Sequence, residues 1–374
     1  MSEISPALHR PLPAAAATAP GRRRRGRLGV EIRQHASARL QAAALAGGLA
    51  AGIACACAIL VGAGVGLADL AQEFVVSILT SPESLAAVLI QAAPLAIVGL
   101  GAAFAFRVRF WNIGLEGQMI IGAVLATAVS LADLGPEPVR LILMACAAAL
   151  GGAAWMLAPV LLRLRIRLNE IISTLLLNYV ALNLLLHLLY GPWRDPATSF
   201  PNSALFDASE RLAEIGWQNL NWGLPLALAL VLAGAWLVGG SRVGFLMRVA
   251  GDNPRMGRAL GLPMTGTVLA ATLLSGALAG MAGFVICAGA EHRLTQSFAT
   301  GYGFSGILIA FLARNTPLGV LVAASLVGVL FVAGQSLQVF YQIPGSAVQL
   351  IQAVIVLCVA ASDFFVRHRL RWIA

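Results

Sequence analysis

Thr265 to Ala290 reads TGTVLAATLLSGALAGMAGFVICAGA, 26 residues without one charged side chain. A helix needs about 20 apolar residues to cross a hydrocarbon core of about 30 Å, so this stretch is read as a membrane span. The pattern recurs along the chain. Runs at 42–68, 84–106, 117–132, 139–162, 171–190, 223–240, 303–313, 317–337 and 344–362 bring the expected total to ten. Two of them, 117–132 and 303–313, are short for a full crossing, which is tolerated where protein buries the ends. The expected fold class is an all-α polytopic membrane protein of about ten transmembrane helices, some short or broken.

Composition agrees. Hydrophobic residues make up 59% of the 374 and charged residues 11%, about half the charged share of a soluble domain. The net charge is +9, and all 25 basic residues are arginine. Without lysine there is no P-loop, whose lysine contacts the phosphates; an ATP-driven process would need another polypeptide to bind ATP and Mg. Cys55, Cys57, Cys146, Cys287 and Cys358 lie apart inside apolar runs, with no C-x-x-C and no histidine cluster, so neither a metal nor another bound cofactor is expected.

Residues 1–40 are rich in Ala, Pro and Arg, including Arg22 to Arg25, and are expected to form a flexible basic arm before a membrane domain over 41–374. The apolar run that follows is longer than the h-region of a cleaved signal peptide. With the N-terminus in the cytoplasm and the spans alternating, 21 of the 25 arginines fall on the cytoplasmic side, and only Arg140, Arg194, Arg211 and Arg293 fall outside. That is the positive-inside bias. It explains the basic charge through the lipid bilayer, without a nucleic-acid partner, and puts both termini inside. The long external loop, about 191–222, is bracketed by Tyr190, Trp193, Trp217 and Trp222 and broken by Pro192, Pro196 and Pro201. Those aromatics suit interfacial anchoring or the docking of an external partner.

Gly114 and Gly117 align with Gly303 and Gly306: each pair opens a short span after a long one, in opposite directions. Such an echo is expected of an inverted-topology repeat, whose broken helices lie near the transport path; close helix packing is the alternative. Polar residues at membrane depth should face protein or water rather than lipid. On that ground Asn112, Glu116 and Gln118, then Ser173, Thr174, Asn178, Asn183 and His187, then Gln335 and Gln338 are candidates for a lining face. Gln349 and Gln352 repeat the pattern. The competing reading is structural, with Glu116 as a first-turn cap, Asn112 as an N-cap, and the others joining helices by hydrogen bonds.

The cytoplasmic loop 241–264 carries its own punctuation. Asn253 is a favoured N-cap, Pro254 suits the first helical position, and Gly261 with Pro263 suits a stop. A helix of about two turns is expected, with Met256 and Leu260 on one face and Arg255 and Arg258 on another. Such a helix could press into a groove on a soluble partner or lie on anionic lipid.

Three segments carry a family resemblance: Asn112-Ile-Gly-Leu-Glu-Gly-Gln-Met-Ile-Ile-Gly122, Leu168-Asn-Glu-Ile-Ile-Ser-Thr-Leu-Leu-Leu-Asn-Tyr179, and Gly251-Asp252-Asn253-Pro254 with Ala259-Leu260-Gly261. Over about 85–360 the chain resembles permease subunits of bacterial ABC importers of the branched-chain amino acid and ribose class, in the nucleoside or simple-sugar branch. The resemblance implies a cytoplasmic ABC ATPase as partner, a second homologous permease, an external substrate-binding protein or lipoprotein, and a small polar substrate. It implies that 251–261 is the ATPase-coupling segment and that this chain, resident in the bacterial inner membrane, is no enzyme itself. An ion-gradient transporter is the alternative; it calls for paired intramembrane acids, and only Glu116 and Glu170 come near, both at span ends. An intramembrane enzyme is disfavoured because His187 has no carboxylate partner in its own span.

Overall fold

The computed structural model describes residues 27–33, 37–62, 80–298 and 301–373, with isolated positions between 62 and 80. Of the expected arm over 1–40, residues 1–26 and 34–36 lie outside the described residues. Helices occupy all ten expected spans: α1 (Ala38–Gly62), α2 (Pro82–Arg107), α3 (Leu115–Leu131), α4 (Glu137–Ile166), α5 (Glu170–Tyr190), α6 (Gly223–Gly240), α9 (Met264–Ile286), α10 (Tyr302–Leu312), α11 (Pro317–Tyr341) and α12 (Gly345–Arg367). Between α6 and α9 lie two more, α7 (Arg242–Asp252) and α8 (Pro254–Ala259). Among the described residues seven helices are long and apolar enough to cross a membrane, and α3 is a shorter apolar one.

The core is built from helices that are apolar all round, as buried helices are. The apolar stretches of α2, α9 and α11 are 72%, 67% and 56% buried, against 28% for α4, α5 and α6. The latter form the periphery. α9 packs on α3 and α4; α2 packs on α10 and α11; α2 and α9 pack on each other. Exchanging α2-α3-α4 for α9-α10-α11 preserves that pattern, as an inverted repeat requires.

Glycines let the first three-helix group close up. A Cβ on Gly280 would stand 2.0 Å from the Ala148 carbonyl oxygen, one on Gly152 2.1 Å from that of Gly276, and one on Gly122 2.4 Å from Cα of Gly280. In lipid, where apolar burial no longer drives association, such backbone approach is a main source of helix affinity.

Two features were not legible as structure in the sequence. Arg27–Ile32 forms a strand (β1) paired antiparallel with His368–Ile373 (β2). This part of the expected flexible arm is therefore in a sheet, and the two ends of the membrane domain lie together on one side. α7 was the second omission: its buried positions Gly244, Met247, Ala250 and Gly251 follow a helical period within a segment read as loop. At the other end the loop expected to be external is stitched to the segment after α9: Ser203 N donates to Leu294 O, Phe206 N to His292 O and Leu212 N to Ala288 O, each at 2.9 Å.

Candidate functional site

The two short helices meet N-terminus to N-terminus. Glu116, in the first turn of α3, accepts hydrogen bonds from Gly301 N at 3.0 Å and Gly303 N at 2.5 Å, at the start of α10. Gly301 adopts φ +90°, a conformation that favours glycine, and a Cβ on Gly303 would lie 2.3 Å from Glu116 N. Glu116 is 7% exposed. It was expected to cap its own helix or to line the path; it caps the other half-helix, where a carboxylate answers free N–H groups and the positive end of the dipole. α10, with 11 residues, is only about 16 Å long, roughly half a hydrocarbon core. Its start, packed on the buried Glu116, lies inside the helix bundle.

The chain between α2 and α3 must reach that depth without helical hydrogen bonds. Backbone groups in such a place need partners from protein, and much of the predicted polar set supplies them. Asn178 Oδ1 accepts from Gly117 N and its Nδ2 donates to Ile113 O, both at 2.9 Å. Thr174 Oγ1 accepts from Ile113 N at 3.2 Å. Asn112 Oδ1 accepts from Gly114 N at 3.0 Å and from Gln118 Nε2 at 3.0 Å, while its Nδ2 donates to Gln118 Oε1 at 2.9 Å and Ser275 Oγ at 3.0 Å. Gly114, not Asn112, is the N-cap of α3. Ser173 donates to Glu170 O at 3.2 Å. Asn112, Gln118, Ser173, Thr174 and Asn178 are all buried.

The single lining face expected on α5 is thereby divided. Ser173, Thr174 and Asn178 face inward, whereas Asn183 and His187 are exposed on the outer side with Ile172, Leu176, Tyr179 and Tyr190. Asn183 donates to Tyr179 O at 2.7 Å within its own helix. Asn183 is nine residues from Thr174, which at 3.6 per turn places the two side chains on opposite sides of the helix. On α11, Gln335 is exposed and Gln338 half-buried. Side chains of Gln349 and Gln352 lie outside the described residues.

Two ion-pair groups had no signal in linear spacing. On the cytoplasmic side of the expected topology Arg163 pairs with Glu170, Arg163 also donates to Arg109 O at 3.1 Å, and Trp111 N donates to Glu170 Oε1 at 3.5 Å. This ties α4 and α5 to the chain entering α3. On the external side of that expected topology Arg140 bridges Asp133 at 2.8 Å and Glu210 at 2.9 Å, and Ser130 Oγ donates to Glu210 Oε2 at 2.5 Å. Burial raises the Glu210 pKa, but the hydrogen bonds from Ser130 and Arg140 outweigh it and hold the carboxyl below its usual range. The Arg140 guanidinium occupies the space among Asp133, Asp207 and Glu210, the carboxylates that could otherwise approach a cation.

At the elbow, Asn253 Oδ1 accepts from Met256 N at 3.0 Å, Pro254 opens α8, and Gly261 adopts φ +71°, as the punctuation predicts. Arg255, Met256, Arg258 and Leu260 are exposed, as are Asp252 and Asn253, while Gly257 is buried. Gly251 is buried against the end of α2, where a Cβ would stand 2.2 Å from Arg107 O. The elbow is thus a fixed support presenting α8 outward.

Residues 84–360 match a family model described as branched-chain amino acid transport system / permease component. Among similar proteins, a glucose ABC transporter permease of Haloferax volcanii is 36% identical over 305 residues, 79% of this chain and 80% of that protein. A guanosine ABC transporter permease of Bacillus subtilis is 32% identical over 276 residues, 73% and 79% of the two chains. A nucleoside ABC transporter permease of Lactococcus lactis subsp. cremoris is 28% identical over 272 residues, 69% and 74%. No solved structure gives a significant match.

Proposed function

The chain belongs to the family of branched-chain amino acid transport system permease components, and we propose that it forms one half of the path through a nucleoside importer. It is the membrane-spanning permease subunit of an ABC importer, a multi-pass inner-membrane protein. The observation that carries the nucleoside reading is the recurrence of guanosine and nucleoside permeases among its relatives. The glucose permease among them favours simple sugars as the second reading. In our reading both termini are cytoplasmic, supported by the arginine distribution and by the β1–β2 pairing of the ends.

The partners proposed are a cytoplasmic ATPase that holds ATP and Mg, a second permease, and an external binding protein or lipoprotein. The exposed residues of α8, with Gly251 and Gly261 setting its ends, would dock on the ATPase. Asn183 and His187 on α5 and Gln335 on α11, all exposed, with the half-buried Gln338, would meet the path from the surface of this chain. Asn112, Gln118, Ser173, Thr174 and Asn178 would shape the path by holding the re-entrant backbone. An external cleft of about 510 Å³, lined by Phe200, Asn202, Glu291, Arg293 and Gln296 among others, offers a polar surface for the binding protein.

The test is co-purification of the tagged complex from mild detergent, its ATPase activity, and uptake of tritiated guanosine into proteoliposomes challenged with unlabelled glucose. Guanosine uptake that resists glucose supports the nucleoside reading; glucose uptake that resists guanosine moves the assignment to sugars. Arg255→Glu with Arg258→Glu should lower uptake at least tenfold while the protein still inserts. Coupled uptake at the wild-type rate would remove α8 from the ATPase contact.

A further inference from the structure

We propose that Glu116 is a positioning residue of the transport cycle: it clasps α10 to α3, so that α10 moves as a rod between the external segment and the coupling elbow. The inference rests on the importer reading and deepens it. Three observations carry it.

First, the clasp joins the two halves of the repeat. Its donors, Gly301 and Gly303, begin the half-helix of the second repeat, and its acceptor begins that of the first. The backbone contact is close, with no room for a Cβ at Gly303.

Second, α10 is connected at both ends. Toward the outside, the segment between α9 and α10 is stitched through Ala288, His292 and Leu294 to the external loop. Toward the cytoplasm, Asn315, just past α10, accepts from Arg107 Nε at 2.9 Å, and the Arg107 carbonyl abuts Gly251 of the elbow. Hydrogen bonds and close contacts therefore tie the chain that precedes α10 to the external loop and the chain that follows it to the coupling segment. Packed elements of this kind switch between discrete arrangements rather than deforming smoothly.

Third, the clasp acts on a packed helix with an exposed reporter. Ile309 and Ala310 are fully buried, Gly306 lies against Val98 of α2, and Phe311 packs with Phe106 and Trp111, so α10 moves only together with what it packs on, while Phe304 is 46% exposed on its open side. A carboxylate holding backbone N–H groups is a charge-assisted contact and ties that packed unit to α3.

The experiment uses the full complex with its ATPase, with the native cysteines replaced and Phe304→Cys as reporter. The reaction rate of that cysteine with a small methanethiosulfonate reagent is measured with no nucleotide and with ATP plus vanadate. We expect a rate change of at least threefold on nucleotide trapping, lost in Glu116→Gln and in Gly303→Ala, which break the clasp electrostatically and sterically. Glu116→Asp, which keeps the charge, should retain part of it. Gly122→Ala is an equally severe insult at a backbone contact away from the clasp, and at matched yield of assembled complex it should retain the change.

An unaltered rate change in Glu116→Gln overturns the clasp, and so does its equal loss in Gly122→Ala, which would mean that any packing defect suffices. A wild-type rate insensitive to nucleotide overturns the moving rod. Failure of the importer reading is separate: no ATPase would then co-purify.

Discussion

Replacing Asn178 with alanine should reveal how much the re-entrant backbone depends on side chains. Asn178 serves Gly117 N–H and Ile113 C=O, both at 2.9 Å. The substitution removes both partners at once. A buried polar group left unpaired costs about 1–3 kcal/mol, giving about 2–6 kcal/mol for two. Side-chain hydrogen bonds between membrane helices average only about 0.6 kcal/mol, because the separated helices find other partners. That discount applies weakly here: the groups released are backbone, and lipid offers them nothing. We therefore expect about 2–4 kcal/mol. At roughly 2 °C per kcal/mol for a large domain, the apparent melting temperature in detergent should fall by about 4–8 °C. Heating will be irreversible, so variants must be compared at one scan rate. Asn183→Ala is the internal control, since Asn183 is exposed and bonded only within its own helix; it should shift the midpoint by less than about 1 °C, as surface changes do. Equal shifts for the two variants would refute the assignment of Asn178 as a backbone staple.

Two further expectations follow from packing and charge. Gly280→Ala puts a methyl 2.0 Å from Ala148 O, whereas Gly266→Ala meets nothing within 4 Å; the first should cost about 1–3 kcal/mol or more by overpacking and reduce the monodisperse peak on size exclusion, and the second should not. Glu210, held below its usual pKa, contributes stability present above the unfolded carboxylate value of about 4.3 and lost as pH falls through its lower folded value. Thermal stability of the wild type should therefore drop in that acid window, and Glu210→Gln should be less stable at neutral pH with a flatter acid limb, as read by a pH series of melting curves.

Periodicity was enough to place a helix in each of the ten expected runs, seven of the helices among the described residues being long and apolar enough to cross a membrane, because the length of an apolar run is a property of local sequence. The α8 helix was equally legible: Asn253, Pro254 and Gly261 act on their own neighbours. The roles of the polar residues were not. Whether Asn178 or Asn183 faces inward depends on which side of α5 meets α3, a matter of packing. Glu116 finds its partners at Gly301 and Gly303, far along the chain, only because two half-helices converge in space. β1 escaped for a related reason: the alternation of Leu28, Val30 and Ile32 is too short to announce a strand, and its partner lies at the other end of the chain. Local physics determined where this protein forms its apolar helices; contacts between distant segments decided which of its polar groups hold the fold and which stay exposed.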